Sequence, residues 1–224
     1  MARIKARRKA RPHDPATDPA EKGEVETLLA VYRPGVPVLI ARALDKLPRC
    51  KAALDLARLD PLNAQGALGE NQLGIDGLGR HFHISANNSH VIDSVVNTYR
   101  KLLEKVPRLP LDQAATDYPT FTRDAPELAF NANGAPAKVP AFSAPARFKM
   151  FFNPIYRPFD ATVREPFSGL TPIALQGVQL REMCHFYLNM VDGNPAMSST
   201  AQCLNLAQSF QLFAMQIALG RPFP

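Results

Sequence analysis

Residues 171–220 read TPIALQGVQLREMCHFYLNMVDGNPAMSSTAQCLNLAQSFQLFAMQIALG. Thr171 followed by Pro172 is a helix start, because proline lacks the N–H that a first helical position leaves unpaired anyway. The first helix should run to about Val191. Ile173, Gly177, Leu180, Cys184 and Val191 make one apolar stripe, and Val178, Met183 and Leu188 make other faces apolar too. A helix apolar nearly all round belongs in a core. Ser198–Thr200 can cap a last helix that stops at Gly220, where a C-terminal cap prefers glycine.

Into the first of these helices the sequence sets Arg181, Glu182 and His185. Burying charged groups costs several kcal/mol unless they are paired or hold a metal. In the blandest reading Arg181 and Glu182 face a solvent edge and His185 is a hydrogen-bonded core histidine. The spacing offers a sharper one, since Arg181-Glu182-x-x-His185 is the zinc-peptidase pattern H-E-x-x-H with its first position altered. In an intact motif the residues at i and i+4 share a helix face and grip one Zn²⁺, while the glutamate activates the bound water.

With Asp192 in VDGNP and the segment CLNLAQSFQLFAMQIALG at 203–220, the region resembles the deuterolysin and lysine-specific metallo-endopeptidase-like branch of the zincins, including its toxin-associated bacterial relatives. Asn205, Ser209, Phe210, Phe213 and Ala214 fall at matching places in the last helix, and GRHFHI at 79–84 is similar to the start of such domains. The resemblance implies Glu182 as general base and His185 and Asp192 as metal ligands. It also implies three departures. Arg181 replaces the first histidine, Pro195 stands where a tyrosine would steady the oxyanion, and Phe210 replaces the tyrosine of a Ser-Tyr pair. A guanidinium is a permanent cation and repels Zn²⁺. Arg181 is therefore expected to bridge Glu182 or Asp192 and neutralise the cavity of the lost ion.

Elsewhere the charge is sharply placed. Arg3, Lys5, Arg7, Arg8, Lys9 and Arg11 account for the whole net charge of +6, since the other 20 Lys and Arg balance 20 acids. Such a tail could meet phosphates of nucleic acid or another acidic surface, or simply be solvated. The N-terminus lacks the apolar stretch of a secretory signal, which points to the cytoplasm of the producing cell or to export by another route. No apolar run approaches the ~20 residues of a membrane span. Cys50, Cys184 and Cys203 form no C-x-x-C and no disulfide framework.

Residues 1–22 read as a disordered basic tail, and 23–224 as one zincin-like domain. Within it, Val25, Leu28, Leu29 and Tyr32 form a helical stripe interrupted by Pro34 and Pro37. Two short helices should follow, Val38–Leu47 and Ala52–Leu59. Residues 60–80, rich in Gly and Asn, read as loop, and the GLGR within them lacks the strand–helix setting of a phosphate loop. Ser89 can cap a helix running to Val106. His81-x-His83, if on a strand, would face one side and with His90 could bind a metal, although loop histidines are the plainer reading. The 21 prolines of the chain suit long irregular connections at 107–145, and Arg147–Phe152 should be a strand.

The expectation is thus an α+β, mostly α, zincin-like fold with an active-site helix, a small β-sheet beside it and long proline-rich loops. The function expected is that of a metallopeptidase-like protein with a degenerate zinc site, impaired in catalysis and binding a peptide or protein. Two alternatives stand beside it: an active zinc peptidase with a substitute ligand such as His81 or His83, and a structural protein whose tail contacts nucleic acid or an acidic partner. Zinc is the one cofactor the motif suggests, and the loss of one of three ligands should cut its affinity severely.

Overall fold

The structure is a computed structural model that describes residues 33–106 and 170–222 in full, together with Thr27, Val31 and the backbone of short strands between 119 and 166. The basic tail and the Val25–Tyr32 stripe lie largely outside the described residues. The chain divides into two compact units, one of which joins Arg33–Arg108 to Pro172–Pro224. That unit is almost wholly helical. Its elements are α1 (Gly35–Leu59), α2 (Gln65–Phe82), a 3₁₀ turn (Ala86–Val91), α3 (Ile92–Lys105), α4 (Pro172–Leu188), a 3₁₀ turn (Pro195–Met197), α5 (Thr200–Cys203) and α6 (Ala207–Leu219).

In the other unit β1 (Pro119–Phe121) runs parallel to β3 (Lys149–Phe152), and β2 (Ala141–Ala144) pairs antiparallel to β3 from its other side. β4 (Ile155–Tyr156) and β5 (Glu165–Pro166) make a separate antiparallel pair. The aromatic run expected to be a strand supplies β3.

Several expectations are corrected within the helical unit. The two short helices are one, because α1 runs unbroken through Pro48. Proline in a helix interior forfeits one hydrogen bond. Here the buried stripe of Val36, Leu39, Ile40, Ala43, Leu47, Cys50, Ala53 and Leu54 carries the helix through.

The supposed loop 60–80 is mostly α2. Its glycines are contact points rather than breaks. A Cβ at Gly74 would overlap Cys50 Sγ on α1, and one at Gly77 would stand 2.9 Å from Gln216 Nε2 and 3.1 Å from Phe213 on α6. Side-chain-free positions let α2 lie close to both neighbours, which offsets the low helix propensity of glycine.

Ser89 is not a helix cap. It lies in the first 3₁₀ turn, where Ser85 forms a capping box with Asn88, and its hydroxyl donates to Asp55 Oδ1 at 2.6 Å. α3 starts at Ile92 with Asp93 in its first turn, and Ile92, Val95, Val96, Tyr99 and Leu102 are buried at helical spacing. The last helix is also not continuous, since Leu204–Leu206 separates α5 from α6. Gly220 ends α6 in the left-handed conformation at φ 66°, as its position suggested.

The core centres on α6. Phe82 packs edge-on against Phe210 with centroids 5.0 Å apart, and Tyr99 does so at 5.3 Å. Aromatic pairs of this kind add about 0.5–1.5 kcal/mol beyond the area they bury. The Tyr99 hydroxyl donates to Phe210 O at 2.6 Å, so its one polar atom is satisfied inside the core. α4 lies against α6 at Gly177, where a Cβ would overlap Met215 Sδ. No helix among the described residues is long and apolar enough to cross a membrane.

Candidate functional site

α4 carries the altered motif through the core. Leu175, Val178, Leu180, Met183 and Cys184 are buried, and the contact with α6 fixes the helix rotation. The three motif residues then divide. Glu182 is 1% exposed, whereas the side chains of Arg181 and His185 keep 13% and 14% of their surface at the edge of the unit.

α4 ends at Asn189, which adopts φ 53°. Its N–H meets His185 O at 3.1 Å, and the next N–H, of Met190, meets Cys184 O at 3.3 Å. Asparagine enters the left-handed region more readily than most residues. The turn sends the chain back along α4, and Val191 joins the start of α6 through Val191 N–Asn205 O and Ala207 N–Val191 O, both 3.0 Å. This anchor brings Asp192 beside the helix it has just left.

The result is a three-residue cluster. Arg181 Nη2 lies 2.6 Å and Nε 3.0 Å from Asp192 Oδ1. His185 Nε2 lies 3.1 Å from the same oxygen, and its Nδ1 lies 2.7 Å from Met190 O. A neutral imidazole has one N–H and can satisfy one of these two acceptors, whereas the imidazolium satisfies both. Burial works against a charged His185, but the bonds to Asp192 and Met190, with the fields of Glu182 and Asp192, outweigh it and raise its pKa. For Asp192 burial likewise favours the neutral acid. The hydrogen bonds from His185 and Arg181 prevail and hold it down at about 2.

The other residues singled out in the sequence take different parts. Asn205 is exposed and contributes its backbone carbonyl, as the acceptor for Val191. Ser209 is wholly buried on α6, and among the described residues its Oγ has no hydrogen-bond partner beyond the neighbouring Cys203 thiol.

His81 and His83 do not alternate on a strand but close α2. His81 is buried and meets Gln216 Oε1 at 3.1 Å through Nε2, while Gln216 Nε2 donates to Leu73 O. The amide oxygen is thus the acceptor, and His81 is the neutral Nε2–H tautomer. Burial lowers its pKa to about 4, only partly opposed by that bond. His83 donates from Nε2 to Pro195 O at 2.7 Å, and His90 lies exposed on the 3₁₀ turn.

The sequence reading missed the link from His83 to Pro195 and the role of Met190 O. Neither has a motif, because one is a contact across 112 residues and the other uses a backbone atom.

Does this set fit zinc? An ion would need lone pairs from His185 Nε2 and the Asp192 carboxylate. Here those two atoms face each other, and Asp192 Oδ1 also takes the Arg181 guanidinium, which offers five donors and no lone pair. The residues do not fit the metal as they stand. Among the described residues, no group of three or more His, Cys, Asp or Glu is placed to hold one.

No family model matches this chain, and neither the curated proteins nor the solved structures contain a significant match to it.

Proposed function

We propose that this chain is a metallopeptidase-like protein in which a guanidinium has taken the place of the metal, and that it acts by binding a peptide or protein rather than by hydrolysis. The observation that carries the reading is the convergence of Arg181 and His185 on Asp192 Oδ1, at 2.6 and 3.1 Å. The resembling family uses the corresponding three positions for zinc. A fixed cation supplied by the chain can neutralise the same carboxylate with no ion. The burial of Glu182 points the same way, since a general base must reach the water it activates.

The alternative of an active enzyme with a substitute ligand has less support, because Nε2 of both His81 and His83 is already hydrogen-bonded. The third reading, with residues 3–11 meeting nucleic acid or an acidic partner, rests on the charge pattern of the sequence.

Elemental analysis after incubation with zinc and removal of the excess tests the proposal. The wild-type protein should retain far less than one equivalent, and Arg181→His, which restores H-E-x-x-H, should retain close to one. Stoichiometric zinc in the wild type, together with peptide cleavage lost in Glu182→Gln, would overturn it.

A further inference from the structure

The short turn Asn194–Ser198 is built almost entirely from its own bonds. Asn194 Oδ1 accepts from Ala196 N at 3.0 Å, and Asn194 O accepts from Met197 N at 3.0 Å and from Ser198 Oγ at 2.9 Å. Ser198 N closes the turn onto Pro195 O at 3.1 Å. A segment bonded this way keeps its shape if it moves.

Its hydrogen bonds to the rest of the helical unit, among the described residues, converge on one atom, Pro195 O. That oxygen accepts from His83 Nε2 at 2.7 Å and, weakly, from Cys203 Sγ at 3.6 Å. Among the described residues His83 is thus the one strong polar tether. It is held firmly for the task, at φ 54° and with its own carbonyl accepting from Asn88 Nδ2 at 3.1 Å and Thr200 Oγ1 at 3.2 Å. A non-glycine residue kept in the left-handed region by several bonds is over-determined, and such positions cluster at sites that clamp or switch.

Beneath the turn lie groups with unspent chemistry. Pro195 and Cys203 are buried, the thiol lies beside the Ser209 hydroxyl, and that hydroxyl has no other hydrogen-bond partner among the described residues. A thiol is a weak hydrogen-bonding partner, so a buried hydroxyl left with that alone is poorly compensated for the water it has lost. Exposure would restore it.

We propose that Asn194–Ser198 is a plug latched by His83, and that it opens as a unit, without unfolding of the helices, to uncover Cys203 and Ser209 together. The inference stands on the contacts of this turn alone and does not depend on the zinc-site reading. Opening presents a thiol and a hydroxyl side by side on the surface that carries the turn. Local opening of this kind is expected where few bonds join a segment to its surroundings.

The three cysteines provide the test, because Cys50 on α1 and Cys184 on α4 are equally buried and lie in long helices. Full-length protein is treated with iodoacetamide under native conditions, and the rate at each thiol is followed by peptide mass spectrometry. Cys203 should be modified at least about tenfold faster than Cys50 and Cys184, since its exposure needs only local opening. His83→Asn, which tolerates the left-handed backbone but falls short of Pro195 O, should speed Cys203 by about two- to tenfold, one hydrogen bond's worth. The rates at Cys50 and Cys184 should not change. His83→Gln, with an amide donor of similar reach, should restore much of the protection. One common rate for all three thiols in the wild type would overturn the proposal, even if no variant folded. So would an unchanged Cys203 rate in a folded His83→Asn.

Discussion

Arg181 Nη2 lies 2.6 Å from Asp192 Oδ1, and the two residues are separated by a helix end, a left-handed Asn189 and a backbone bridge from Val191 to α6. The pair is uneven: the guanidinium side chain is 13% exposed and the carboxylate side chain 55%. Its worth should therefore fall between that of an open surface pair and that of a buried one. Arg181→Met should destabilise the protein by about 1–2 kcal/mol, and a double-mutant cycle with Asp192→Asn should give a coupling of about 1 kcal/mol. Urea unfolding of the four proteins measures both. A coupling near zero would show that the contact does not hold the loop.

The same cluster sets a pH window. Asp192 has a folded pKa of about 2, below its unfolded value, so its contribution is complete above the ordinary carboxylate value of ~3.9 and is lost as pH falls toward 2. His185 has a raised folded pKa, so its contribution is complete below ~6.5 and is lost as pH rises through the raised value. The cluster should stabilise most between about pH 4 and 6.5. Melting temperatures of wild type and Asp192→Asn should differ most inside that window and converge at both ends, and a constant difference from pH 3 to 9 would refute this.

His81 works in the opposite direction. Its folded pKa of about 4 lies below the unfolded ~6.5, so the folded state favours the neutral ring and stability falls as pH drops through that interval. Because His81 is only 2% exposed, the full loss is on the order of 3 kcal/mol. His81→Gln, which can still donate to Gln216, should show a shallower acid limb. Denaturant melts at pH 7 and pH 4 give the comparison, and equal acid sensitivity in the two proteins would contradict the assignment.

The glycines of α2 separate into two kinds. At Gly69 an added Cβ meets nothing within 4 Å, so Gly69→Ala should stabilise by about 0.5–1 kcal/mol through helix propensity and a less free unfolded chain. At Gly74 the same methyl would overlap Cys50 Sγ, with Lys46 Cγ at 3.0 Å, so Gly74→Ala should destabilise by about 1–3 kcal/mol. Equilibrium unfolding of both variants would show opposite signs. Like signs would mean that the α1–α2 contact is looser than the structure has it.

What the sequence determined by itself is local. The amphipathic repeat from Ile92 to Leu102, the proline that opens α4 and the glycine that closes α6 follow from spacing and side-chain type. Arg181, Glu182 and His185 were also visible, because a mostly apolar helix makes ionisable residues conspicuous, whereas Asp192 was singled out only through the zincin resemblance.

The tertiary structure decided what each of them does. Composition made residues 60–80 look like a loop, yet Gly74 and Gly77 are bare because α1 and α6 lie against them, and no local rule reports a neighbour's distance. Val38–Leu47 and Ala52–Leu59 looked like two helices, but the eight buried residues of α1 outweigh the one hydrogen bond missing at Pro48 between them. His81 and His83 looked alike and differ entirely: one is a neutral core donor, the other a surface tether, because one faces Gln216 and the other Pro195. For Arg181 the sequence left a choice between Glu182 and Asp192. The left-handed turn at Asn189 and the anchor at Val191 brought Asp192 to it, since a partner is fixed by where the chain returns and not by how near it lies in sequence.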